Sequence, residues 1–332
     1  MATAEQIKAL IKSYSEGDSD RFIRVGMQVA AHEAKNGNQH VARELRELID
    51  EAQEQRSVTS GSRHDPTPIA QPQGELEGVV TASYPDVRLS DMVLAEPQAE
   101  SLDTLLDEHR KRQKLVEQGL APRRKLLLVG PPGTGKTMTA RALAGELDLP
   151  LLSVRFDALI TKIMGETAAK LRLVFDAMEE NRGVYLFDEF DAIGAQRSRD
   201  NDVGEMRRVL NSFLQFIEED DSDSIIVAAT NHRELLDRAL FRRFDDVIPY
   251  DLPDDAHRIE MMKQCLANFE IRQPDWKALA DEADGLSYAD LQRACEDAAK
   301  KVILDERRAI DTAILRESIR QRKQSGCHSF RK

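Results

Sequence analysis

Residues 130–137 read GPPGTGKT, and this stretch decides the fold of the chain. It matches the pattern G-x-x-x-x-G-K-S/T, in which glycines allow backbone N–H groups to close around phosphates. The apolar run KLLLV (125–129) precedes it, and the helical stretch TMTARALAGEL (137–147) follows it. Because the motif binds phosphate when it joins a strand to a helix, the stretch predicts a nucleoside triphosphate site.

Two side chains of this stretch are expected to touch the triphosphate and its metal ion. Lys136 is placed to reach the β- and γ-phosphates, and the Thr137 hydroxyl is placed to hold Mg²⁺. The rest of the predicted cradle consists of Gly130, Pro131, Pro132, Gly133, Thr134, Gly135 and Met138.

Short apolar runs alternate with helical stretches along the middle of the chain. Runs of this length separated by helices are typical of a parallel sheet that is buried on both faces. They are KLLLV (125–129), LLSV (151–154), VYLF (184–187), IIVAA (225–229) and DVIPY (246–250). The pattern predicts an α/β fold, and from residue 253 onward it predicts helices only.

Polar residues follow two of these runs. In VYLFDEFD (184–191), Asp188 stands where the strand ends and is placed to bind Mg²⁺ through water. The adjacent Glu189 is placed to act as general base toward the attacking water. Asn231, after the run IIVAAT, is placed to orient that water or to contact the γ-phosphate, although Asn is also frequent in turns at strand ends.

Two adjacent arginines, Arg242 and Arg243, lie in LDRALFRRFDD (236–246). Paired arginines on a protein surface are usually just solvated. The alternative is catalytic, because an arginine donated across a subunit boundary to a γ-phosphate contributes about 10³–10⁵ in rate.

Composition and charge argue against several classes of protein. The chain has 332 residues, of which 41% are hydrophobic and 32% charged, as is typical of soluble globular proteins rather than membrane proteins. Its formal net charge of −12 argues against non-specific nucleic-acid binding. The three cysteines show no metal-ligand spacing and the N-terminus lacks a secretory signal, so we expect a cytoplasmic protein.

In this order the motifs resemble those of the AAA ATPases. The branch they resemble contains the cell-division-type membrane protease, the ubiquitin-selective unfoldase and the microtubule-severing enzymes, and the resemblance covers about residues 86–315. GPPGTGKT looks like the Walker A loop, LFDEFD (186–191) like Walker B with its catalytic glutamate, and ATN (229–231) like sensor 1. EMRRVLNSFLQFIE (205–218) is similar to the helix after the second pore loop.

The later motifs resemble the same branch. LDRALFRRFD looks like the end of the second region of homology in its shortened form, which would make Arg242 and Arg243 trans-acting arginine fingers. GLSYADL (285–291) is similar to sensor 2, with Ala289 where other AAA+ groups have an arginine.

The resemblance implies an architecture, cofactors and an assembly. It implies a three-layer αβα nucleotide domain over residues 86–252 and a helical lid over 253–315. ATP and Mg²⁺ are the implied cofactors, and backbone around Asp91 and Val93 would line the adenine pocket. The chain is further expected to form a ring, usually of six copies, with each ATP held at a subunit boundary.

Three segments flank these two domains. Residues 1–55 show apolar residues at helical spacing and predict a small interaction unit. Residues 56–85 begin with a stretch rich in Ser, Pro, Gly and Gln, which predicts a flexible linker, and residues 76–93 mix β-formers with turn residues, which predicts a strand or two leading into the next domain. Residues 316–332 are mainly basic and predict a solvated tail, with an interaction tail as the alternative.

Members of this branch grip protein in the central pore with a loop that is usually aromatic–hydrophobic–Gly. Its equivalent here lies in LITKIMGETAAKLRLVF (159–175), with Ile163 where the aromatic belongs, followed by Met164 and Gly165. This is a departure, because an aromatic ring offers more rigid apolar area than Ile or Met. The loop is expected either to grip substrate or to pack internally.

Two functions of different classes follow from these features. In the first, the ring uses ATP to remodel a protein substrate. In the second, it is an ATP-controlled oligomeric switch that gates a partner without threading anything. The layout resembles bacterial stand-alone AAA ATPases that accompany a subtilisin-like serine protease in toxin–antitoxin or phage-defence pairs. A DNA-linked loader is a third class, but such proteins usually keep the sensor 2 arginine that this chain lacks.

Overall fold

The structure is a computed structural model that describes residues 76–159, 166–190, 203–233, 238–272, 274–305 and 309–328. All of these residues belong to one compact unit of the chain. The helical unit expected over 1–55, the first part of the predicted linker, and the pore-loop residues Ile163, Met164 and Gly165 lie outside the described residues. Those three interpretations therefore stay predictions.

In the described part of the chain, six strands form the main sheet. They are β1 (Val80–Ser83), β2 (Lys125–Val129), β3 (Leu151–Val154), β4 (Val184–Phe187), β5 (Ile225–Thr230) and β6 (Asp246–Pro249). Their order across the sheet is β1-β3-β4-β5-β2-β6, and all neighbours run parallel except β1 and β3. The predicted α/β fold is confirmed.

Seven helices of the described ranges accompany this sheet. They are α1 (Glu96–Arg110), α2 (Arg112–Glu117), α3 (Lys136–Glu146), α4 (Phe156–Leu159), α5 (Glu166–Glu180), α6 (Val203–Glu219) and α7 (Arg238–Phe241). None of the helices in the described ranges has the length and apolarity that a membrane crossing requires.

The sheet carries one hydrophobic core on each face. On one face, α1 and α3 pack on the sheet through buried leucines such as Leu105 and Leu143. On the other face, α4 to α7 pack around an aromatic group in which the Phe187 and Phe213 rings lie 5.1 Å apart. Every residue of β4 and β5 is buried, because alternate side chains of a strand point to opposite faces and both faces are covered.

The first strand corrects the predicted linker over 56–85. Val80–Ser83 pair antiparallel with β3 along the edge of the sheet, in the register Val80↔Val154. The linker therefore ends before residue 80. β1 lies within residues 76–93, where a strand was expected, so the structure revises only where the linker ends.

Beyond residue 253 the chain forms a second, smaller core. Its helices are α8 (Asp255–Cys265), α9 (Trp276–Glu282), α10 (Tyr288–Leu304) and α11 (Thr312–His328), and their apolar faces form a separate hydrophobic cluster. Two short parallel strands, β7 (Ile271–Arg272) and β8 (Ile310–Asp311), join this unit. The prediction of helices only is wrong at this point, because two-residue strands carry no detectable period.

The last helix also corrects the predicted tail over 316–332. α11 continues through His328, and its Leu315 and Ile319 are buried in the second core. Arg316 and Arg320 both pair with Glu282 of α9, at 3.0 and 2.8 Å. The sequence predicted a solvated tail because the net charge of this segment is strongly positive. The helix is nevertheless buried on one side, because burial depends on the few apolar residues between the basic ones.

Candidate nucleotide-binding and catalytic site

Several of the predicted site residues lie together at the carboxyl edge of the sheet. Val129 of β2 pairs with Thr230 of β5, and β4 lies on the other side of β5 in parallel. Gly130, Asp188 and Asn231 each follow one of these three neighbouring strands. Ligands of open α/β sheets bind outside the carboxyl ends of the strands, so this edge is where a triphosphate is expected.

The backbone of the loop from 130 to 135 can be formed only with glycine at specific positions. A Cβ atom at Gly130 would lie 1.9 Å from the carbonyl oxygen of Tyr250. Gly133 has a φ of +76° and Gly135 a φ of +106°, both in the region that L side chains rarely adopt. These glycines let the loop turn sharply into the first turn of α3, so that its N–H groups face outward from the helix start.

Lys136 lies inside this loop. Its side chain is buried, and its ammonium group donates hydrogen bonds to the carbonyl oxygens of Gly130 and Pro131, each at 2.7 Å. The positive charge is therefore held at the N-terminal end of α3, where the helix dipole also favours an anion.

Thr137 and Asp188 meet across the loop. The Thr137 hydroxyl donates a hydrogen bond of 2.6 Å to a carboxylate oxygen of Asp188. A hydroxyl and a carboxylate are the oxygen ligands that Mg²⁺ uses beside bound phosphates. The pair fits the predicted metal position, with ligands from both α3 and the end of β4.

Glu189 has an unusual backbone. Its φ is +53°, which is left-handed and uncommon for a residue with a side chain, and such conformations cluster at functional sites. Its N–H donates to a carboxylate oxygen of Asp188 at 2.9 Å. The next residue, Phe190, is buried and donates its N–H to the carbonyl oxygen of Ala229. The turn is thus held on both sides, and the Glu189 side chain is exposed beside Asp188.

Tyr250 supports the phosphate loop, and its contacts were not predicted from the sequence. Its backbone N–H donates to the carbonyl oxygen of Val129, and its phenol oxygen lies 2.5 Å from the Thr139 hydroxyl of α3. The Thr139 hydroxyl also lies 3.2 Å from the carbonyl oxygen of Gly135, so it links the phenol to the phosphate loop. Burial raises the pKa of Tyr250 to about 12, which keeps this phenol protonated. The only sequence signal was its place at the end of the apolar run DVIPY.

Replacing Tyr250 by Phe is expected to lower the free energy of unfolding by about 1 kcal/mol, because it removes a buried hydrogen bond while keeping the ring. Urea denaturation measures this difference. Tyr84→Phe is the matched control, since Tyr84 is exposed at the surface. Equal stability of the Tyr250 and Tyr84 variants would contradict the supporting role of the phenol.

The start of α10 rests on the phosphate loop. The Ala289 N–H donates to the carbonyl oxygen of Gly133 at 3.1 Å, and a Cβ atom at Gly133 would lie 2.5 Å from the Ser287 hydroxyl oxygen. Ser287 caps α10 by accepting the N–H of Asp290. The second core is thereby connected to the nucleotide loop through main-chain contact at Ala289.

A cavity of about 190 Å³ opens between the phosphate loop and the second core. Its walls are formed by Asp91, Met92, Val93, Thr134, Gly135, Met138, Met261, Gln264, Cys265, Tyr288 and Gln292. Methionine side chains adapt to flat apolar surfaces, so the cavity suits a nucleobase. It includes the predicted Asp91 and Val93, but the five residues from 261 to 292 were missed, because they are more than a hundred positions away in the chain.

The two arginines lie at the opposite edge of the sheet. Arg242 is exposed, and the Arg243 guanidinium pairs with the carboxylate of Glu218 at 2.9 Å. They precede β6, and the Asp245 N–H donates to the carbonyl oxygen of Lys125 at the start of β2. The structure does not bring them together with Lys136 of the same chain.

Comparison with known proteins agrees with this geometry. The family model described as "ATPase family associated with various cellular activities (AAA)" matches residues 126–252. An uncharacterized AAA family ATPase, y4kL of Sinorhizobium fredii, is 35% identical over 311 residues, which cover 93% of this chain and 92% of that protein. The chain belongs to the AAA family of ATPases. As an AAA ATPase it hydrolyses ATP.

Other relatives of this AAA ATPase match over a smaller share of their length. A proteasome-activating nucleotidase of Methanopyrus kandleri is 34% identical over 67% of this chain and 53% of its own length. The ATP-dependent zinc metalloprotease FtsH of Sulfurovum sp. is 31% identical over 74% of this chain and 38% of its own length. The chain thus spans about half or less of these two proteins.

Proposed function

We propose that this AAA ATPase works as a ring, in which ATP hydrolysis at subunit boundaries remodels a protein substrate or partner. The observation that carries this proposal is the distance between the phosphate loop and the arginine pair of the same chain. A site that contains both requires a second copy.

The sheet register sets this distance. Leu126 of β2 pairs with Asp246 of β6, so Arg242 and Arg243 lie before the point where β6 begins. From Leu126 to Gly130 the strand rises by about 13 Å, at about 3.3 Å per residue. Because β6 is bonded to β2 along its whole length, the segment that carries the arginines is held at the start of this strand pair, away from the phosphate loop at its end.

In this proposal each ATP is bound by the residues of one copy and contacted by the arginines of the next. Lys136 binds the outer phosphates, and Thr137 and Asp188 would hold Mg²⁺, which neutralises charge on the phosphate oxygens when bound. Glu189 takes a proton from the attacking water, and Asn231 orients that water. Arg242 and Arg243 of the neighbouring copy stabilise the charge that develops on the transferred phosphoryl group.

We assign a role in this proposal to each domain of the chain. Residues 86–252 form the nucleotide domain, and the segment from 253 through α11 forms the lid, which contributes Tyr288 and Gln292 to the wall of the base cavity. Residues 1–55 are proposed as the unit that recruits a partner.

Protein as the substrate class is supported by the names of two relatives. One name refers to a nucleotidase that activates a proteasome and the other to an ATP-dependent metalloprotease. This chain matches only parts of those proteins, so its own activity toward protein requires direct measurement.

A second function is favoured by the residues at the predicted pore loop. Ile163 and Met164 offer less rigid apolar area than an aromatic ring, which suits a switch that gates a partner without threading it. The layout of the chain points to a subtilisin-like protease as one such partner.

The rate of ATP hydrolysis with and without casein, an unfolded model protein, distinguishes the two functions. A threading ring is expected to hydrolyse ATP about two- to fivefold faster with casein, because substrate contact in the pore is coupled to the nucleotide sites. In a variant with Ile163→Ala and Met164→Ala this stimulation should be lost. Turnover without casein reports separately on the nucleotide site.

Stimulation that is equally strong in the double variant would contradict gripping by these two residues. Absence of any stimulation by casein, in a protein that hydrolyses ATP and forms rings, would favour the switch. The matched control is Leu120→Ala, which removes an exposed apolar side chain outside the predicted loop.

A further inference from the structure

We propose that Cys265 and Cys295 form an oxidation site in the wall of the nucleotide cavity, where a peroxide converts the two thiols into a disulfide. The position of the cavity is observed, whereas its occupation by a nucleobase rests on the proposed function.

The two thiols are in contact although they come from different helices. Cys265 is the last residue of α8, and Cys295 lies in the second turn of α10. Cys295 is buried in the core formed by α8 to α11 and Cys265 packs against that core, and the two thiols are close enough for each to shift the pKa of the other. Neither participates in a disulfide.

The pair is asymmetric in its access to solvent. Cys295 is 1% exposed, so it is shielded by the surrounding core. Cys265 is half-buried and forms part of the cavity wall, next to Gln264 and Tyr288. One thiol can therefore meet a small molecule that enters the cavity, while the other is reached only through the first.

The size of the cavity allows a peroxide to reach Cys265. Its volume is about 190 Å³, whereas a water molecule occupies about 30 Å³ of liquid and hydrogen peroxide contains only one oxygen more. A nucleobase would occupy the same space, since the opposite wall is formed by Met92 and Met138 beside the phosphate loop. Bound nucleotide is thus expected to protect the thiol.

The chemical environment makes Cys265 the group that reacts first. The hydrogen bond from Cys295 lowers the pKa of the Cys265 thiol, and this outweighs the opposite effect of burial. The same contact, together with burial, raises the pKa of Cys295. The thiolate is the nucleophilic form of cysteine, so Cys265 is the attacking residue and Cys295 the resolving one.

The reaction has two balanced steps. The Cys265 thiolate attacks one oxygen of hydrogen peroxide, the O–O bond breaks, and the products are the Cys265 sulfenic acid and hydroxide. The Cys295 sulfur then attacks the sulfenic sulfur, the S–O bond breaks, and its proton leaves with the hydroxyl group as water. The two sulfurs lose two electrons in total, which reduce the peroxide.

The test uses the full chain with Cys327→Ser, which removes the remaining cysteine. After treatment with hydrogen peroxide the protein is denatured, its free thiols are alkylated, and the intact mass and the linked peptides are measured. We expect both thiols to disappear together in a peptide pair joined through Cys265 and Cys295. A non-hydrolysable ATP analogue with Mg²⁺ should slow this loss by about tenfold, as expected for a shielded thiol.

Single variants distinguish the two roles. With Cys295→Ser, oxidation should stop at a sulfenic acid on Cys265, which dimedone traps and mass spectrometry detects. With Cys265→Ser, the buried Cys295 should stay reduced at the same peroxide concentration. Should Cys295→Ser fail to fold, the peptide mapping of the parent protein still decides the question.

Two outcomes overturn the inference. One is that both thiols remain fully alkylated after peroxide treatment that oxidises a small-molecule thiol in the same tube. The other is that the nucleotide analogue binds but leaves the oxidation rate unchanged, which would show that the peroxide does not reach Cys265 through the cavity. Disulfide formation is measured without ATP hydrolysis or ring assembly, so either result can be distinguished from failure of the proposed remodelling function.

Discussion

Replacement of Glu189 by Gln should reduce ATP turnover by about 100-fold or more, because an amide cannot accept the proton of the attacking water. ATP binding should be retained, since Lys136 and the phosphate loop are unchanged. The two side chains have the same shape, so the left-handed turn after Asp188 should also persist. Phosphate release under saturating ATP measures turnover, and titration with a fluorescent ATP analogue measures binding.

The matched control for this prediction is Glu180→Gln, which makes the same chemical change on an exposed residue at the end of α5. Its turnover should equal that of the parent protein. A loss of less than about tenfold in the Glu189 variant would contradict a general-base role, since such groups contribute about 10²–10⁴ in rate. The mass of the Glu189 variant with and without ATP also shows whether ATP assembles the ring.

The second large effect is expected from Arg242→Ala combined with Arg243→Ala. Turnover should fall by about 10³ or more while ATP binding is kept, because the arginines stabilise charge only in the transition state. The control is Arg272→Ala, which removes an arginine of β7 whose side chain is 66% exposed. Phosphate release and analogue binding are measured as for Glu189.

Mixing experiments then test which copy supplies the arginines. Subunits with Lys136→Ala lack a functional phosphate loop but carry intact arginines, and the arginine variant has the reverse defect. A mixed ring contains some boundaries with both intact parts, so partial turnover should return. A chain that remains a monomer at saturating ATP and hydrolyses it at the full rate would contradict shared sites altogether.

The phosphate loop and the central strands could be predicted because their signals are local. A Gly-rich loop between an apolar run and a helix is a motif of eight residues, and β2, β4 and β5 are read from short continuous apolar runs. The cap of α10 at Ser287 is local in the same way, because it depends on a residue three positions later.

The short strands β7 and β8 and the helix through the basic C-terminal segment were missed for the converse reason. α11 is buried because α9 and α10 supply the other side of its core. β1 lies where a strand was expected, but its pairing with β3 joins residues far apart in the chain and could not be read from a local window.

The amino-acid sequence by itself determined the phosphate-binding loop, the parallel sheet and the identity of the chemical groups at the strand ends, because each rests on spacing within a few residues. Only the tertiary structure decided which groups meet. The order of the strands brings Asp188 to Thr137 and holds the arginine pair at the far edge, and the packing of α8 and α10 places Cys265 and Tyr288 in the same cavity as Asp91. These contacts join residues far apart in the chain, and their positions depend on strand pairing and core packing rather than on local pattern.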